Sequence, residues 1–259
     1  MKIDQIKSKN AFICDMDGVL YHGEKLVEGA KAFIRWLKRE EKRFLFLTNS
    51  SARSPKELQK RLLHFDIETT ERHFMTSALA TASFLASQCP GGSAYVIGEA
   101  ALLDALFNTG LTMNENNPDY VVFGETKDYN YEKIETAINL VRNGAKLIGT
   151  NPDVTGPIEK GIAPACKALI SPIELATDIK AYFLGKPNPL IMRHSLKKLR
   201  SRREETIIIG DRMDTDVIAG IESEIETVLV LSGITTQEDL RVFSYKPHHI
   251  LNNVGDICK

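Results

Sequence analysis

Asp15-Met16-Asp17-Gly18 sets two carboxylates two positions apart at the end of an apolar run, Ala11–Asp15. At an extended strand end, residues i and i+2 point to the same side. Two carboxylates on one side repel unless a cation or a proton-transfer step makes use of them. A hard divalent cation prefers carboxylate, carbonyl and water oxygens. A phosphoryl group in transfer needs such positive charge to offset what develops on its oxygens. Gly18 lets the backbone turn sharply beside a ligand. Taken alone, the tetrapeptide reads equally as a solvated Asp-x-Asp-Gly turn, because short motifs recur by chance.

Three further groups share this character. Thr48-Asn49 follows the apolar run Phe44–Leu47, and a hydroxyl with an amide can hold phosphate oxygens or simply end a strand. Asn49-Ser50-Ser51 also matches a glycosylation acceptor, which a cytoplasmic chain does not use. Gly185-Lys186-Pro187 offers a fixed cation that would relieve repulsion between a nucleophilic carboxylate and a phosphate dianion; it also reads as a surface turn. Gly210-Asp211-Arg212-Met213-Asp214-Thr215-Asp216 follows Thr206–Gly210. There Asp211 suits a metal ligand, and Asp216 suits a group that orients Lys186 or a metal-bound water. The alternative is acidic capping of a helix, worth about 1 kcal/mol.

The elements that must carry these groups follow from the pattern. Ala11–Asp15, Phe44–Leu47, Thr206–Gly210 and Thr227–Leu231 are continuous apolar or β-branched runs, as expected of strands buried on both faces of a parallel sheet with helical crossovers. In open α/β sheets, ligands bind outside the carboxyl ends of the strands, so the polar ends converge on one rim. Ala30, Phe33, Ile34 and Leu37 form one helical face. Ser54-Pro55-Lys56-Glu57 reads as a helix start. The middle of the chain repeats the pattern. Ala94–Ile97, Tyr120–Phe123 and Lys146–Ile148 are strand candidates, each followed by glycine, with helices around Ala100–Phe107 and Tyr131–Asn143. The expected division is a discontinuous core of residues 1–78 and 183–259 with an α/β insertion at 79–182. Asp17 and Thr48 are separated by 30 residues, too few for an inserted domain, whereas 137 separate Thr48 from Lys186.

Composition excludes some classes. The 259 residues are 43% hydrophobic with a formal net charge of −1, enough for a sizeable core and without the basic balance that nucleic acid or an anionic membrane surface calls for. The basic residues from Arg193 to Arg203 read as a solvated helix end. No apolar run approaches the roughly 18 residues of a membrane span. The polar start, residues 1–10, does not resemble a signal peptide. The four cysteines form no CxxC pair, so reduced thiols and a cytoplasmic location are expected. Cys14 and Trp36 read as core, and Tyr21 as a residue that can line an entrance.

With these groups in order, the chain resembles the haloacid dehalogenase-like (HAD) hydrolase superfamily, and within it the NagD-type phosphatases with a C2-type cap. The resemblance rests on FICDMDGVLY (12–21), FLTNSS (46–51), YVIGE (95–99), GETKDYNYE (124–132), TNPD (150–153), PAC (164–166), FLGKPNP (183–189), IIGDRMDTDVIAG (208–220) and LVLSGIT (229–235). It implies an α/β fold, with a Rossmann-like parallel-sheet core and an inserted α/β cap. Asp15 would attack phosphorus and form an aspartyl-phosphate. Asp17 would protonate the leaving alkoxide and then activate the hydrolytic water. Thr48 and Lys186 would hold phosphoryl oxygens, with Asn49, Met16 and Gly18 contributing to phosphate binding. Mg²⁺ would bind the Asp15 and Asp211 carboxylates and the Asp17 carbonyl, supported by Asp216.

Asn151 and Asp153 in the cap would reach the leaving group, or else form an Asn-Pro-Asp turn. The segment Val154 to Gly161 departs from the family pattern. A second aspartate argues against dehalogenation, which needs no leaving-group acid there. The expected substrate is a small phosphorylated metabolite, a nucleoside monophosphate or sugar phosphate. A phosphoglycolate-like acid or an aryl phosphate is the alternative. A non-catalytic phosphate sensor would have a broken nucleophile or shuttle, and here both are present. No nucleic-acid or membrane partner is expected.

Overall fold

The computed structural model describes residues 2–158 and 160–259. The chain divides into two compact units: Met1–Thr48, Pro55–Met75 and Lys186–Lys259 form one, Asn49–Ser54 and Thr76–Gly185 the other. The second unit thus includes the short segment 49–54 besides the insertion expected at 79–182. The physical reason is local bonding: Asn49 O accepts from Ser77 Oγ at 2.5 Å and from Asn151 Nδ2 at 2.8 Å.

In the first unit a six-stranded sheet runs in the order His249–Leu251, Glu226–Val230, Thr206–Gly210, Ala11–Cys14, Arg43–Thr48, Phe74–Thr76. The four pairings that join the first five of these strands are parallel. Ala11–Cys14 and Thr206–Gly210 are buried along their whole length, which is why their sequences are apolar without alternation. The helix Ala30–Arg39 buries Ala30, Phe33, Ile34, Trp36 and Leu37 on one face. There Phe12 meets Trp36 edge-on at 5.4 Å, and Phe33 stacks on Trp36 at 6.1 Å. Trp36 and Cys14 are core residues, as expected. The helix Pro189–Leu199 carries part of the basic stretch in its last turn; Lys198 Nζ donates to Phe74 O at 2.6 Å.

Topology sets the rim. Ala11–Cys14 lies between Arg43–Thr48 and Thr206–Gly210, with Cys14 level with Phe46 on one side and Ile209 on the other. The groups at the ends of these three parallel strands therefore emerge together: Asp15 just past the middle strand, Thr48 closing the strand on one side, and Asp211 just past the strand on the other.

The second unit holds a five-stranded sheet in the order Tyr182–Phe183, Lys146–Gly149, Tyr120–Phe123, Ser93–Ile97, Thr112–Met113, parallel throughout. The helices Tyr131–Arg142 and Cys166–Thr177 close a core of Val121, Phe123, Ala137, Cys166, Ile170 and Ile173. Thr155–Ile158 and Gly161–Pro164 form an antiparallel ribbon that overlaps the segment 154–161; Glu159 of that segment lies outside the described residues. Among the described residues, no helix is long and apolar enough to cross a membrane.

Candidate active site

Asp15 is the first residue beyond the central strand. Its N–H donates to Ile209 O at 2.8 Å, which extends the ladder by one bond and fixes the backbone. Lys186 Nζ lies 2.8 Å from Asp15 Oδ1 and 2.6 Å from Asp216 Oδ1, and the lysine is 2% exposed. Burial works against its charge, but Asp15 and Asp216 outweigh that cost and hold the ammonium above the ordinary lysine range. Asp216 Oδ2 also accepts from Arg212 N–H at 3.2 Å. It sits in the wide turn Met213–Val217, where Val217 N–H reaches back five residues to Arg212 O. Such turns occur frequently at functional sites.

Asp211 completes the group. Its Oδ2 accepts from Ile234 N–H at 2.7 Å. A side chain at Gly233 would put Cβ 2.0 Å from that oxygen, and one at Gly18 would put it 2.3 Å away. Gly18 also has φ +80°, which favours glycine. Carboxylate oxygens of Asp15, Asp211 and Asp216 lie within 4.8 Å of one another, all three residues being buried. Three carboxylates and one ammonium carry an excess of two negative charges when all are ionised. The protonation of the cluster reflects this. Burial, with the charges of Asp216 and Asp211, holds the Asp15 carboxyl well above the usual range against the pull of Lys186. Burial and Asp216 push Asp211 up to about 6, against the Ile234 N–H, Lys186 and Arg212. An acidic triad of this kind can hold a metal ion.

The other expected residues divide. Thr48 ends its strand and is buried. Asp17 is exposed at the turn, and its carboxylate is outside the acidic triad. The Met16 side chain is fully buried in the core and its carbonyl accepts from Leu20 N–H at 2.9 Å, so its remaining means of meeting a ligand is its N–H. Tyr21 does not line an entrance. It is 1% exposed, stacked on Phe65 at 6.0 Å and covered by the Arg61 guanidinium at 4.4 Å.

Asn49, Asn151 and Asp153 belong to the second unit, where they bond to one another. Asn49 Nδ2 donates to Asp153 Oδ2 at 2.9 Å, and Asp153 N–H donates to Asn151 Oδ1 at 3.1 Å. Asn151 is fully buried, and its Nδ2 also reaches Glu125 Oε1 at 3.1 Å. Sequence reasoning did not single out Glu125. The available signal was its position just past the strand Tyr120–Phe123, the same strand-end rule that marks Asp15. Glu125 accepts a further bond from Ser50 Oγ at 3.3 Å, and its N–H donates to Ser51 Oγ at 3.1 Å. Burial lifts its carboxyl above the ordinary range, opposed by the bonds from Asn151 and Ser50. A carboxyl raised on folding stabilises most below its unfolded pKa and loses that contribution as pH rises through the folded value. Glu125→Gln is therefore expected to melt at or above the wild-type temperature at neutral pH. The gap should narrow as the pH is lowered into the ordinary carboxylate range, which thermal unfolding across pH measures.

A family profile described as haloacid dehalogenase-like hydrolase matches residues 12–112, and a HAD-hydrolase-like profile matches residues 183–257. The chain is 43% identical over 248 residues to the dihydroxyacetone phosphatase of Corynebacterium glutamicum, covering 96% of this chain and 90% of that protein. It is 40% identical over 245 residues to the ribonucleotide monophosphatase NagD of Escherichia coli, covering 95% and 96%. The crystal structure of a 4-nitrophenylphosphatase from Thermotoga maritima superposes with a TM-score of 0.94 at 32% identity, covering 98% of each chain. Both profile matches span residues of the acidic rim, and with relatives alike over nearly their full length they establish that the chain belongs to the haloacid dehalogenase-like hydrolases, is of the NagD type, and is a phosphatase.

Proposed function

We propose that the protein is a Mg²⁺-dependent phosphomonoester hydrolase that works through an aspartyl-phosphate on Asp15, with a small phosphorylated metabolite as substrate. The observation that carries this reading is the buried pairing of Asp15 with Lys186, next to Asp211 and Asp216. An all-oxygen donor set with two excess negative charges fits a hard divalent cation. Asp15 and Asp211 would hold it with the Asp17 carbonyl, while Asp216 is engaged by Lys186 and Arg212 N–H. When bound, the ion supplies positive charge that draws the phosphate dianion to a carboxylate and stabilises charge on its oxygens.

The residues divide the remaining work. Lys186 fixes the orientation of Asp15 and offers a permanent charge to the phosphoryl oxygens. Thr48, at the adjacent strand end, offers a hydroxyl to the same oxygens, with Asn49 assisting. Asp15 attacks phosphorus in line as the ester oxygen leaves. Asp17, solvent-exposed and outside the buried cluster, delivers a proton to that oxygen. The same carboxylate then accepts a proton from the water that attacks phosphorus and frees Asp15. The second unit would act as the cap, with Asn151 and Asp153 bearing on the leaving group.

Relatives named dihydroxyacetone phosphatase, ribonucleotide monophosphatase and acid sugar phosphatase favour a sugar phosphate or nucleoside monophosphate. A cytoplasmic location accords with four cysteines that are all unbridged. The test is a screen of phosphate release over nucleotides, sugar phosphates, phospho-acids and aryl phosphates with and without Mg²⁺. Mg²⁺-dependent turnover on at least one class is expected; none on any class would favour a phosphate sensor. Gly233→Ala, which drives Cβ into Asp211, should weaken Mg²⁺ binding by about tenfold or more, read from the Mg²⁺ dependence of activity and of melting temperature.

A further inference from the structure

The turn that carries Asp17 is held from two sides by groups with no part in the chemistry above. Gly18 N–H donates to Tyr21 O at 2.9 Å, and Tyr21–His22 pairs antiparallel with Lys25–Leu26, so a small hairpin projects beyond the central strand. On one side Arg61, from the helix Pro55–His64, donates to Gly23 O at 2.5 Å and covers the Tyr21 ring. On the other, Ser232 Oγ donates to Gly18 O at 2.8 Å, and His22 Nε2 contacts Ser232 O. A carbonyl can only accept, so this contact places a proton on Nε2. The next two residues serve Asp211: Gly233 leaves room for its carboxylate and Ile234 N–H binds it. Residues 232–234 thus tie the acid-bearing turn to the carboxylate cluster.

We propose that Ser232, with His22, is a positioning residue for proton transfer by Asp17. Ser232 fixes the carbonyl of Gly18, the residue directly after Asp17, and so holds the Asp17 carboxyl toward the leaving-group oxygen. A general acid must lie within hydrogen-bond reach of the oxygen it protonates, so the backbone that carries it must be held in place. The inference rests on the reading of Asp17 as that acid. In the step concerned, the bond from an Asp15 oxygen to phosphorus forms while the bond from phosphorus to the ester oxygen breaks. The bonding pair stays on the ester oxygen, which takes the proton of Asp17. A nitrophenolate leaves without that proton; an alkoxide requires it.

The test compares kcat/KM across phosphate monoesters from p-nitrophenyl phosphate to alkyl phosphates at saturating Mg²⁺, for the wild type, Asp17→Asn, Ser232→Ala, Ser232→Thr and His22→Ala. Asp17→Asn should lose about 100-fold more on alkyl than on aryl esters. Ser232→Ala should lose about tenfold more on alkyl than on aryl esters, His22→Ala less in the same direction, and Ser232→Thr should restore the wild-type dependence. Uniform losses across the series in both Ser232→Ala and His22→Ala would overturn the inference, as would a loss that disappears on raising Mg²⁺, which would assign the effect to Asp211. If Asp17→Asn itself shows no leaving-group dependence, the acid assignment fails and the role of Ser232 falls with it. A selective loss in Asp17→Asn without one in Ser232→Ala overturns the Ser232 role alone.

Discussion

Asp15→Asn is expected to lower phosphate release by about 10⁴-fold or more while leaving the fold intact. The amide keeps the size of the carboxyl, and its oxygen still accepts from Lys186, which stays bound to Asp216 at 2.6 Å. What it lacks is an oxygen nucleophile able to bond phosphorus. Stability should move the other way. Burial and two neighbouring carboxylates raise the Asp15 carboxyl well above its usual range. An acid raised on folding contributes stability below its unfolded pKa and loses it as pH rises through the folded value. At neutral pH without metal, Asn should therefore melt at or above the wild-type temperature. Parallel measurements of phosphate release and thermal unfolding check both halves, and appreciable retained turnover would remove Asp15 from the nucleophile role.

Lys186→Met should produce the opposite pairing, with activity and stability failing together. Lys186 is the cation between two buried carboxylates, 2.8 Å and 2.6 Å away. Breaking a buried pair by removing one partner typically costs about 3–5 kcal/mol, because the other charge stays buried and unpaired. Here two are left. Asp15 already stands above the ordinary carboxylate range and would lose the Lys186 charge that opposes the rise, so the loss is expected to be small in acid, to begin as pH climbs past the ordinary carboxylate range, and to be greatest at neutral pH. Divalent cation should recover part of the stability by replacing the missing charge, but not the activity, since Lys186 is also proposed to meet the phosphoryl oxygens. Removing one preorganised cationic or hydrogen-bonding group of this kind costs about 10²–10³-fold in kcat. Melting temperatures across pH, with and without Mg²⁺, together with turnover, distinguish this from a general packing defect, which neither pH nor Mg²⁺ would relieve.

Much of the rim was legible in the sequence because Asp15, Thr48 and Asp211 stand at the ends of strands with their own signature. Ala11–Cys14 and Thr206–Gly210 are buried on both faces and so read as unbroken apolar runs. The edge strands Phe74–Thr76 and His249–Leu251 have three residues each, too short to show a period. Residue type named Asp15 and Asp211, since charge at a buried strand end demands a partner, and Lys186 and Asp216 as the opposite charge and the further carboxylate that such a cluster calls for. It could not name the groups that support them. Ile234 binds Asp211 through a backbone N–H, which every residue except proline has. Ser232 acts through one hydroxyl on a carbonyl 214 residues away. Glu125 resembles an ordinary loop charge until Ser50, 75 residues earlier, and Asn151, 26 residues later, fold against it. Tyr21 illustrates the converse: an aromatic next to the acidic rim suggests a lining, but Arg61 covers it.

The most direct test of the account is to capture the phosphoryl group on the protein. In Asp17→Asn, p-nitrophenyl phosphate supplies a leaving group that departs without an acid, while the base for hydrolysis of the intermediate is missing. Acid quenching in the first turnover, followed by proteolysis and mass spectrometry, should find one phosphoryl group per chain, on the peptide containing Asp15 and absent from the Asp15→Asn, Asp17→Asn double variant. Nitrophenol release without any phosphorylated peptide, or a phosphoryl group on a residue other than Asp15, would contradict it.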